Sequence, residues 1–329
     1  MKKIFINYRR DDTRDDAKRI YDSLVKDKEF TSELIFRDLD SLPLGADLKE
    51  IETQIIRSDV LLAVIGPTWL DCEKDGERRL FAREDWVREE IEIGLEIWIH
   101  VIPVLVGGAQ IPRDKKLLPP TIQELANKNR AELRDGSEFD GDMVRLINKL
   151  RNIPSPIPNR LTREKVREII DSARSQGKKP DLRNKNLVNI DLNGEDLSEV
   201  DFTNANLSFA NLKGLPNLES TILQEANLYK AKLYRAHMKE ANLRKAHLYK
   251  TELLYPTLTG ADLSEVDLKN TNVKFKNAHL EGVRLFGTDL SSLDKLDLEK
   301  AILIGAEASA DTTLWPDGFD PKAAGVILK

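Results

Sequence analysis

The stretch ANLYKAKLYRAHMKEANLRKAHLYK, residues 226–250, repeats the same kinds of residue every five positions. A small residue opens each group of five, and a large apolar residue stands two places later, as Ala226 and Leu228 do in the first group. An amphipathic helix repeats about every 3.6 residues and a half-buried strand about every two, so neither element produces this period. The pattern predicts stacked units, each of which contacts only its neighbours.

The period extends in both directions from this stretch. The large apolar position is occupied by Leu182, Leu187, Leu192, Leu197, Phe202, Leu207, Leu212, Leu218, Leu223, Leu228, Leu233, Met238, Leu243, Leu248, Leu253, Leu258, Leu263, Leu268 and Val273. The register shifts by one residue near 214–216, by two between Val273 and Leu280, and by three between Leu290 and Leu298. We expect bulges or loops at these three places.

The groups ANLYK, AKLYR, ANLRK and ADLSE resemble the pentapeptide-repeat family, whose consensus is A(D/N)LXX. Over residues 181–305 the resemblance implies a right-handed quadrilateral β-helix, in which four pentapeptides form one coil. About six coils stacked at roughly 4.8 Å would make a rod about 30 Å long. We expect the tail, residues 306–329, to cap this rod with Trp315 and Phe319, because a bare end exposes core and sheet edges.

Residues 1–151 follow a different pattern, in which short apolar runs such as KIFINY, DVLLAVIG and HVIPVLV alternate with amphipathic stretches. Apolar strands separated by helices predict βαβ units and a parallel sheet covered on both faces. The Pro-rich segment NIPSPIPNR then marks a domain boundary. We predict that residues 152–180 are a linker and a connecting helix, with Thr162 as N-cap and Gly177 as the stop.

Composition excludes several classes of protein. The formal net charge of -5 at pH 7 does not favour nucleic acid or an anionic membrane surface as a partner. A single cysteine, Cys72, excludes an intramolecular disulfide and fits a reducing compartment. The histidines show no metal-ligand spacing, and no apolar run approaches the roughly 20 residues that span a bilayer. We expect a soluble cytoplasmic protein without a metal, a membrane segment or a nucleic-acid ligand.

The acidic stretch DWVREEIEIGLEIW, residues 85–98, predicts a helix with one unusual carboxylate. Helical neighbours lie three and four positions apart, which places Glu92 and Glu96 together on what we expect to be a solvated stripe. Glu90 instead has Trp86 and apolar neighbours, at the edge of the buried face. A poorly solvated carboxylate is often functional, although a structural acid at a core boundary gives the same pattern.

Four stretches of this half resemble the Toll/interleukin-receptor (TIR) domain, particularly in its bacterial members. They are IFINYRRDD for the first strand, IFRDLDSLPLGADLKEIETQI for the BB loop and its helix, SDVLLAVIGPTWL for the third strand, and DWVREEI for the W-x-x-x-E element. The resemblance implies a flavodoxin-like α/β fold, with a parallel five-stranded sheet and helices on both faces. Many members cleave the nicotinamide glycosidic bond of NAD, and others are adaptors. It therefore implies that Glu90 is catalytic and that Trp86 either stacks on nicotinamide or packs in the core.

The arginines at strand ends are candidate substrate-binding residues. Arg9 and Arg10 end the first strand and Arg37 follows the second, where phosphates of NAD can reach them. Each of them fits equally well as an ordinary surface charge or as the partner of a nearby aspartate. No G-x-G-x-x-G loop is present, so a conventional dehydrogenase is not supported. We expect NAD as a substrate and no separate cofactor. Trp69 is expected to be structural.

The predicted BB loop contains the candidate assembly residues Asp40, Leu42, Pro43, Leu44 and Gly45. In TIR assemblies this loop packs against a neighbouring domain and helps to complete the active site. We therefore expect a homo-oligomer formed through TIR–TIR contacts and the repeat domain, controlled by an unknown trigger, with a role in bacterial defence against phage. The alternative is a non-enzymatic adaptor. A linear and a cyclic ADP-ribose product fit equally well.

The repeat region carries a basic stretch, residues 229–250, in which Tyr229 and Lys230 lie one twenty-residue coil before Tyr249 and Lys250. This stretch is either a solvated face or a docking surface for an acidic partner or another copy.

Overall fold

The computed structural model describes residues 2–37, 48–74, 76–82, 84–154, 160–214, 216–268 and 271–329. The chain divides into an N-terminal unit, residues 1–158, and a C-terminal unit, residues 159–329. Within the described residues, no helix is long and apolar enough to cross a membrane.

The N-terminal unit is built on a five-stranded parallel sheet. Its strands are β1 (Ile4–Asn7), β2 (Ile35–Arg37), β3 (Val60–Ile65), β4 (His100–Val106) and β5 (Ala131–Leu133). They lie in the order β2-β1-β3-β4-β5, and every neighbouring pair is parallel. This is the order of a flavodoxin-like sheet. The predicted fold class of this half is confirmed.

Helices cover both faces of the sheet, because its strands are apolar on both sides. The helices are α1 (Arg10–Val25), α2 (Leu48–Ile56), α3 (Trp86–Glu96) and α4 (Phe139–Asn152). Alternate strand residues such as Ile4, Ile6 and Leu62 share one core with buried residues of α1 and α4. Helix α3 contacts α2 and the strands β1, β3 and β4.

Short elements complete the described part of the N-terminal unit. The 3-10 helices are Ser32–Leu34, Arg79–Phe81, Lys115–Leu117, Pro120–Asn127 and Gly136–Glu138. Glu73–Lys74 pairs with Glu77–Arg78 as a two-residue antiparallel hairpin.

Pro103 stands inside β4, although proline lacks the N–H that a central strand donates. Strand β5 pairs with β4 only at residues 104–106, so residues 100–103 have no partner strand on that side within the described sheet. The N–H of His100 donates toward β3, to the oxygen of Asp59 at 3.2 Å. Successive residues of a strand direct their N–H groups to opposite edges. The ring of Pro103 therefore lies at the edge where no donor is needed.

The C-terminal unit begins with helix α5 (Arg163–Ser175). Thr162 caps it by accepting a hydrogen bond from the N–H of Lys165 at 3.3 Å, and Gly177 follows its end with φ +66°. Both end signals were predicted. Val166 and Ile170 of this helix are buried in the same apolar core as the repeats. Helix α5 is thus part of the C-terminal unit, where it covers one end of that core, rather than a separate connector.

The repeats form stacked coils, and each predicted large apolar residue from Leu182 to Val273 is at most 8% exposed. Residues twenty apart pair in parallel, as Asp181 does with Asp201. The spacing grows to 21 residues for Asn206 and Asn227, where the chain crosses the first register shift. Further pairings across the later shifts are Thr257 with His279 and His279 with Ile302. The predicted β-helix and its register shifts agree with this pairing.

A tight turn explains why the period is five. The oxygen of Leu182 accepts from the N–H of Lys185 at 3.3 Å, and Asn184 between them has φ +57°. A positive φ at the third residue is the mark of a type II turn. The carboxylate of Asp181 accepts from the N–H of Arg183 at 3.0 Å, which holds the turn from the side. This bond recurs along the coils and gives the D/N of the consensus its physical role.

The last coils include irregular elements. Glu252–Leu254 pairs with Asn272–Lys274, and Glu307–Ala308 pairs with Ile327–Leu328. The three extra residues of the last shift are taken up by a short helix, α6 (Lys295–Glu299). Trp315 stacks on Phe319 with 5.2 Å between ring centroids, and both pack against the coil core.

The basic stretch 229–250 is partly neutralised within the C-terminal unit. Lys239 pairs with Glu219 at 3.2 Å, and Lys245 pairs with Glu265 at 3.4 Å. The rings of Tyr229 and Tyr249 stack at 5.9 Å, as the twenty-residue coil requires. The sequence of residues 229–250 therefore suggests more positive charge than the folded surface carries there.

Replacing Gly282 by Val should weaken the coils locally. Gly282 has φ +63°, and a Cβ there would meet no atom within 4 Å, so backbone strain is the main change. The left-handed conformation costs about 1–2 kcal/mol for a non-glycine residue. We expect the amides of residues 278–290 to exchange hydrogen roughly 5 to 30 times faster. Lys276→Val, at an exposed neighbouring position with ordinary φ, is the control, and equal exchange in both variants would contradict the strain argument.

Candidate functional site

The candidate site lies where the end of β1 meets the beginning of α3. Asn7, the last residue of β1, is fully buried and donates from Nδ2 to Oε2 of Glu90 at 2.7 Å. The same Nδ2 donates to the backbone oxygen of Val87 at 3.0 Å. Glu90 itself is 4% exposed. One strand-end amide thus holds both the catalytic candidate and the first turn of its helix.

The local sequence explains why α3 begins where it does. Asp85 has extended backbone geometry and accepts from the N–H of Arg88 at 2.8 Å, which makes it the N-cap. Trp86 is then the first helical residue. Val87 and Glu90 are three positions apart and share the face that looks toward β1.

A buried ion pair joins the same two elements. The guanidinium of Arg9 contacts both carboxylate oxygens of Asp85, at 2.9 Å from Nη1 and 3.2 Å from Nη2. The side chains are 1% and 2% exposed. A fork of two parallel contacts fixes orientation as well as distance. The N-cap of α3 is therefore locked to the residue that lies two positions after Asn7.

This pairing corrects the expectation that Arg9 is accessible to the phosphates of a ligand. Arg9 is buried because the carboxylate that caps α3 is itself buried and requires a compensating positive charge. Neither Asp11 nor Asp12, its sequence neighbours, is the partner. Asp11 pairs instead with Arg79 at 2.8 Å.

The other predicted site residues are placed as follows. Trp86 is 42% exposed, which removes the alternative that it packs in the core. Arg10 begins α1 and is exposed. Arg37 ends β2, with its guanidinium 5.3 Å from the ring centroid of Tyr21. The candidate assembly residues Asp40, Leu42, Pro43, Leu44 and Gly45 lie outside the described residues.

Glu92 also corrects an expectation, because it is fully buried rather than part of a solvated stripe. The buried residues of α3 run consecutively from Glu90 to Gly94. Five consecutive residues extend around a helix, so α3 is covered on more than the side that faces the sheet. Spacing along the sequence identifies the apolar face and gives no information about what covers the opposite one.

The loop after β3 is tied to α1 beside the same end of the sheet. The carboxylate of Asp12 accepts from the N–H groups of Gly66 and Thr68, at 3.1 and 3.0 Å, and from the hydroxyl of Thr68 at 2.7 Å. A Cβ on Gly66 would lie 2.5 Å from Oδ2 of Asp12, so only glycine fits there. Trp69 follows in this loop and is buried, as expected of a structural residue.

Sequence reasoning missed Asn7 and Asp12. The signal for Asn7 was a single amide closing the apolar strand IFIN. The partners of both residues lie far away along the chain, since Asn7 and Glu90 are 83 positions apart.

The described residues include no group of three or more His, Cys, Asp or Glu that could hold a metal ion. The arrangement instead offers a carboxylate held by a neutral amide at the carboxyl end of a parallel strand. Such a group can stabilise a positive charge that develops on a bound molecule. The carboxyl ends of parallel strands are where α/β sheets usually bind ligands.

Profiles of two known families match the two halves of the chain. The profile of the TIR domain matches residues 4–147. The profile of pentapeptide repeats matches residues 181–214, 217–253 and 257–291, with 8 copies. No curated protein matches the chain.

Solved structures resemble each half at low identity. The TIR domains of the activated Roq1 resistosome, which directly recognizes the pathogen effector XopQ, are 16% identical over 46% of this chain and 99% of that chain, with a TM-score of 0.34. HetL, a pentapeptide repeat protein involved in heterocyst differentiation regulation in Nostoc sp. strain PCC 7120, is 23% identical over 51% of this chain and 93% of that chain, with a TM-score of 0.22.

Removing the carboxylate of Asp85 should destabilise the N-terminal unit. Asp85→Ala leaves the Arg9 guanidinium buried without its counter-charge, which costs about 3–5 kcal/mol. The matched control is Asp11→Ala, which breaks the exposed pair with Arg79 and should cost less than about 1 kcal/mol. The measurement is urea unfolding followed by tryptophan fluorescence in a Trp315→Phe background, because the other three tryptophans lie in this unit. Equal shifts for the two variants would show that the buried pair contributes no more than a surface pair.

Proposed function

We propose that this chain, a TIR-domain protein that carries pentapeptide repeats after its TIR domain, cleaves the bond between nicotinamide and ribose in NAD⁺. The TIR domain supports a signalling or NAD-cleaving role in general. The observation that favours cleavage is the buried Glu90 carboxylate, held by Asn7 at the carboxyl end of β1. Glu90 also occupies the acidic position of the W-x-x-x-E element.

The chemistry requires little more than a well-placed negative charge. When the glycosidic bond breaks, its electron pair leaves with nicotinamide, whose ring nitrogen loses its positive charge and needs no proton. Positive charge then develops on the ribose as an oxocarbenium-like centre. The Glu90 carboxylate stabilises this charge in a site with little water, where electrostatic interactions are strong. Attack by water gives linear ADP-ribose, and attack by a nitrogen of the adenine gives a cyclic product.

The remaining candidate residues take supporting roles in this proposal. The exposed indole of Trp86, one helical turn before Glu90, stacks on the nicotinamide ring. Arg10 and Arg37, at the carboxyl ends of β1 and β2, bind the phosphates. Arg9 acts indirectly, because its guanidinium holds Asp85 and so fixes the start of α3.

Self-association controls the activity in this proposal. The BB-loop residues Asp40, Leu42, Pro43, Leu44 and Gly45 contact a neighbouring TIR domain, and the pentapeptide-repeat coils bring copies together when a trigger binds. The setting is the bacterial cytoplasm, and the role is defence against phage. The alternative, a non-enzymatic adaptor, requires no carboxylate positioned at a strand end, and the contact between Glu90 and Asn7 favours the enzyme for that reason.

Replacing Glu90 by Gln should abolish turnover. The amide keeps the size of the side chain and removes the charge, so we expect nicotinamide release to fall at least about a hundredfold. The matched control is Glu96→Gln, a half-buried acid on the same helix, which should retain the parental rate. The measurement is nicotinamide released from NAD⁺ by the full chain over a range of protein concentrations.

Each result of this experiment has a definite meaning. A rate that depends on Glu90 and rises more steeply than protein concentration supports both the enzyme and its control by assembly. A rate proportional to concentration retains the enzyme and contradicts assembly as its control. Equal rates in the parent and Glu90→Gln refute the site, and no turnover at any concentration favours the adaptor.

Replacing Asn7 by Asp should move the pH dependence of turnover. Two carboxylates at hydrogen-bond distance cannot both ionise easily, so the pKa of the pair rises. Turnover needs the ionised Glu90. As the pH is lowered, the variant should therefore lose activity at a pH about one unit or more above the pH at which the parent loses it. Asn7→Leu, which lacks the donor, should lower kcat with little change in KM. An unshifted profile for Asn7→Asp would mean that Asn7 does not position Glu90 during catalysis.

A further inference from the structure

A cavity in the N-terminal unit lies away from the candidate active site. Its volume is about 900 Å³, and it is lined by the first half of β4, the end of α4 and the segment before β5. Neither Glu90 nor Trp86 is part of the lining. In the sheet register His100 is level with Val60 and Ile4, whereas Asn7 is level with Ala63 and Pro103. We call this cavity the basic cleft.

Positive charge dominates the basic cleft. Among the described residues, the charged ones that line it are Lys128, Arg130, Arg145 and Lys149, and none is acidic. Lys128 and Arg145 are already paired, with Glu124 and Asp142. Within the described parts of the chain, the side chains of Arg130 and Lys149 make no ion pair or hydrogen bond, and both are exposed. Two uncommitted cations beside one cavity favour an anionic ligand.

The floor of the basic cleft is apolar. Ile102 of β4 and Ile153 after α4 both line it, and both are partly buried against the same core. A ligand that fills this space therefore presents an apolar surface to the strand and an anionic group to Arg130 and Lys149. Cavities on the order of 300–1,000 Å³ accommodate molecules of drug or cofactor size.

The strand edge argues against an extended peptide as the ligand. Within the described sheet, residues 100–103 have no partner strand on the side of the cleft, and such a free edge is the usual requirement for strand addition. Val101 and Pro103 are the residues whose backbone groups point to that side, and Pro103 has no N–H to donate. Strand addition therefore cannot form a full ladder, and the binding groups that remain are side chains.

We infer that the basic cleft binds a phosphate-bearing molecule of mononucleotide size, with a flat ring against Ile102 and Ile153. The guanidinium of Arg130 matches a phosphate with two parallel hydrogen bonds, and the ammonium of Lys149 supplies a second positive charge. Asn129, Asn148 and Asn152 also line the cleft, where Oδ1 of Asn148 already accepts from Arg151 and Nδ2 of Asn152 donates to the backbone oxygen of Asn148. This inference does not depend on the NAD-cleaving reaction.

The test is a calorimetric titration of the full chain with 5′-AMP at low salt. The double variant Arg130→Glu/Lys149→Glu should weaken binding at least about tenfold, because it reverses both uncommitted charges. The matched control is Lys115→Glu/Lys116→Glu, which makes the same change of charge at exposed residues outside the cleft and should bind as the parent does. Adenosine and inorganic phosphate, the two halves of the ligand, should each bind at least about tenfold more weakly than 5′-AMP.

Three results would overturn the inference. Equal affinity of the Arg130→Glu/Lys149→Glu variant and the parent would place any binding elsewhere. Inorganic phosphate that binds as tightly as 5′-AMP would reduce the cleft to a general anion surface. An equal loss in the control variant would mean that net charge, rather than the cleft, attracts the ligand. None of these results bears on Glu90, whose activity is measured separately.

Discussion

The buried pair between Arg9 and Asp85 sets the geometry of the N-terminal unit at its candidate site. An unpaired charge is costly to bury, so the pairing of these two charges favours folds that place the end of β1 against the start of α3. Asp85 also caps α3, so one carboxylate determines both where the helix begins and which strand it faces. Asn7 and Glu90 meet at 2.7 Å as a consequence of that alignment.

The same pair separates two kinds of arginine that look alike in the sequence. Arg9 and Arg10 are adjacent at the end of a strand, yet Arg9 is buried as a structural cation and Arg10 is exposed. The change from strand to helix explains the difference, because Arg9 is the extended N-cap residue of α1 and Arg10 is its first helical residue. Arg9 is therefore not among the cations that a ligand at this edge of the sheet can contact.

The periodic sequence patterns predicted most of the fold, because each residue in such a pattern is placed by local preference and by burial. The inward positions from Leu182 to Val273, the βαβ alternation and the ends of α5 are set by local preference and by burial. Contacts between residues that are far apart in the sequence are not set by local preference. Arg9 and Asp85 are 76 positions apart, and only the completed sheet brings them together. For the same reason the sequence showed that Glu90 stands apart from Glu96, but it did not identify Asn7 as its partner or Glu92 as buried.

The one-to-one pairing of residues about twenty apart gives the pentapeptide-repeat coils a particular mechanical character. Each coil is bonded to the coil before it and the coil after it, so tension along the stack is carried by a series of equal links. Under a pulling force the links yield in turn from an end. Each released coil of about twenty residues adds roughly 70 Å of extended chain. Helix α5 and the stacked rings of Trp315 and Phe319 cover the two ends from which such unravelling begins. The pairing thus predicts that the coils extend one after another under load.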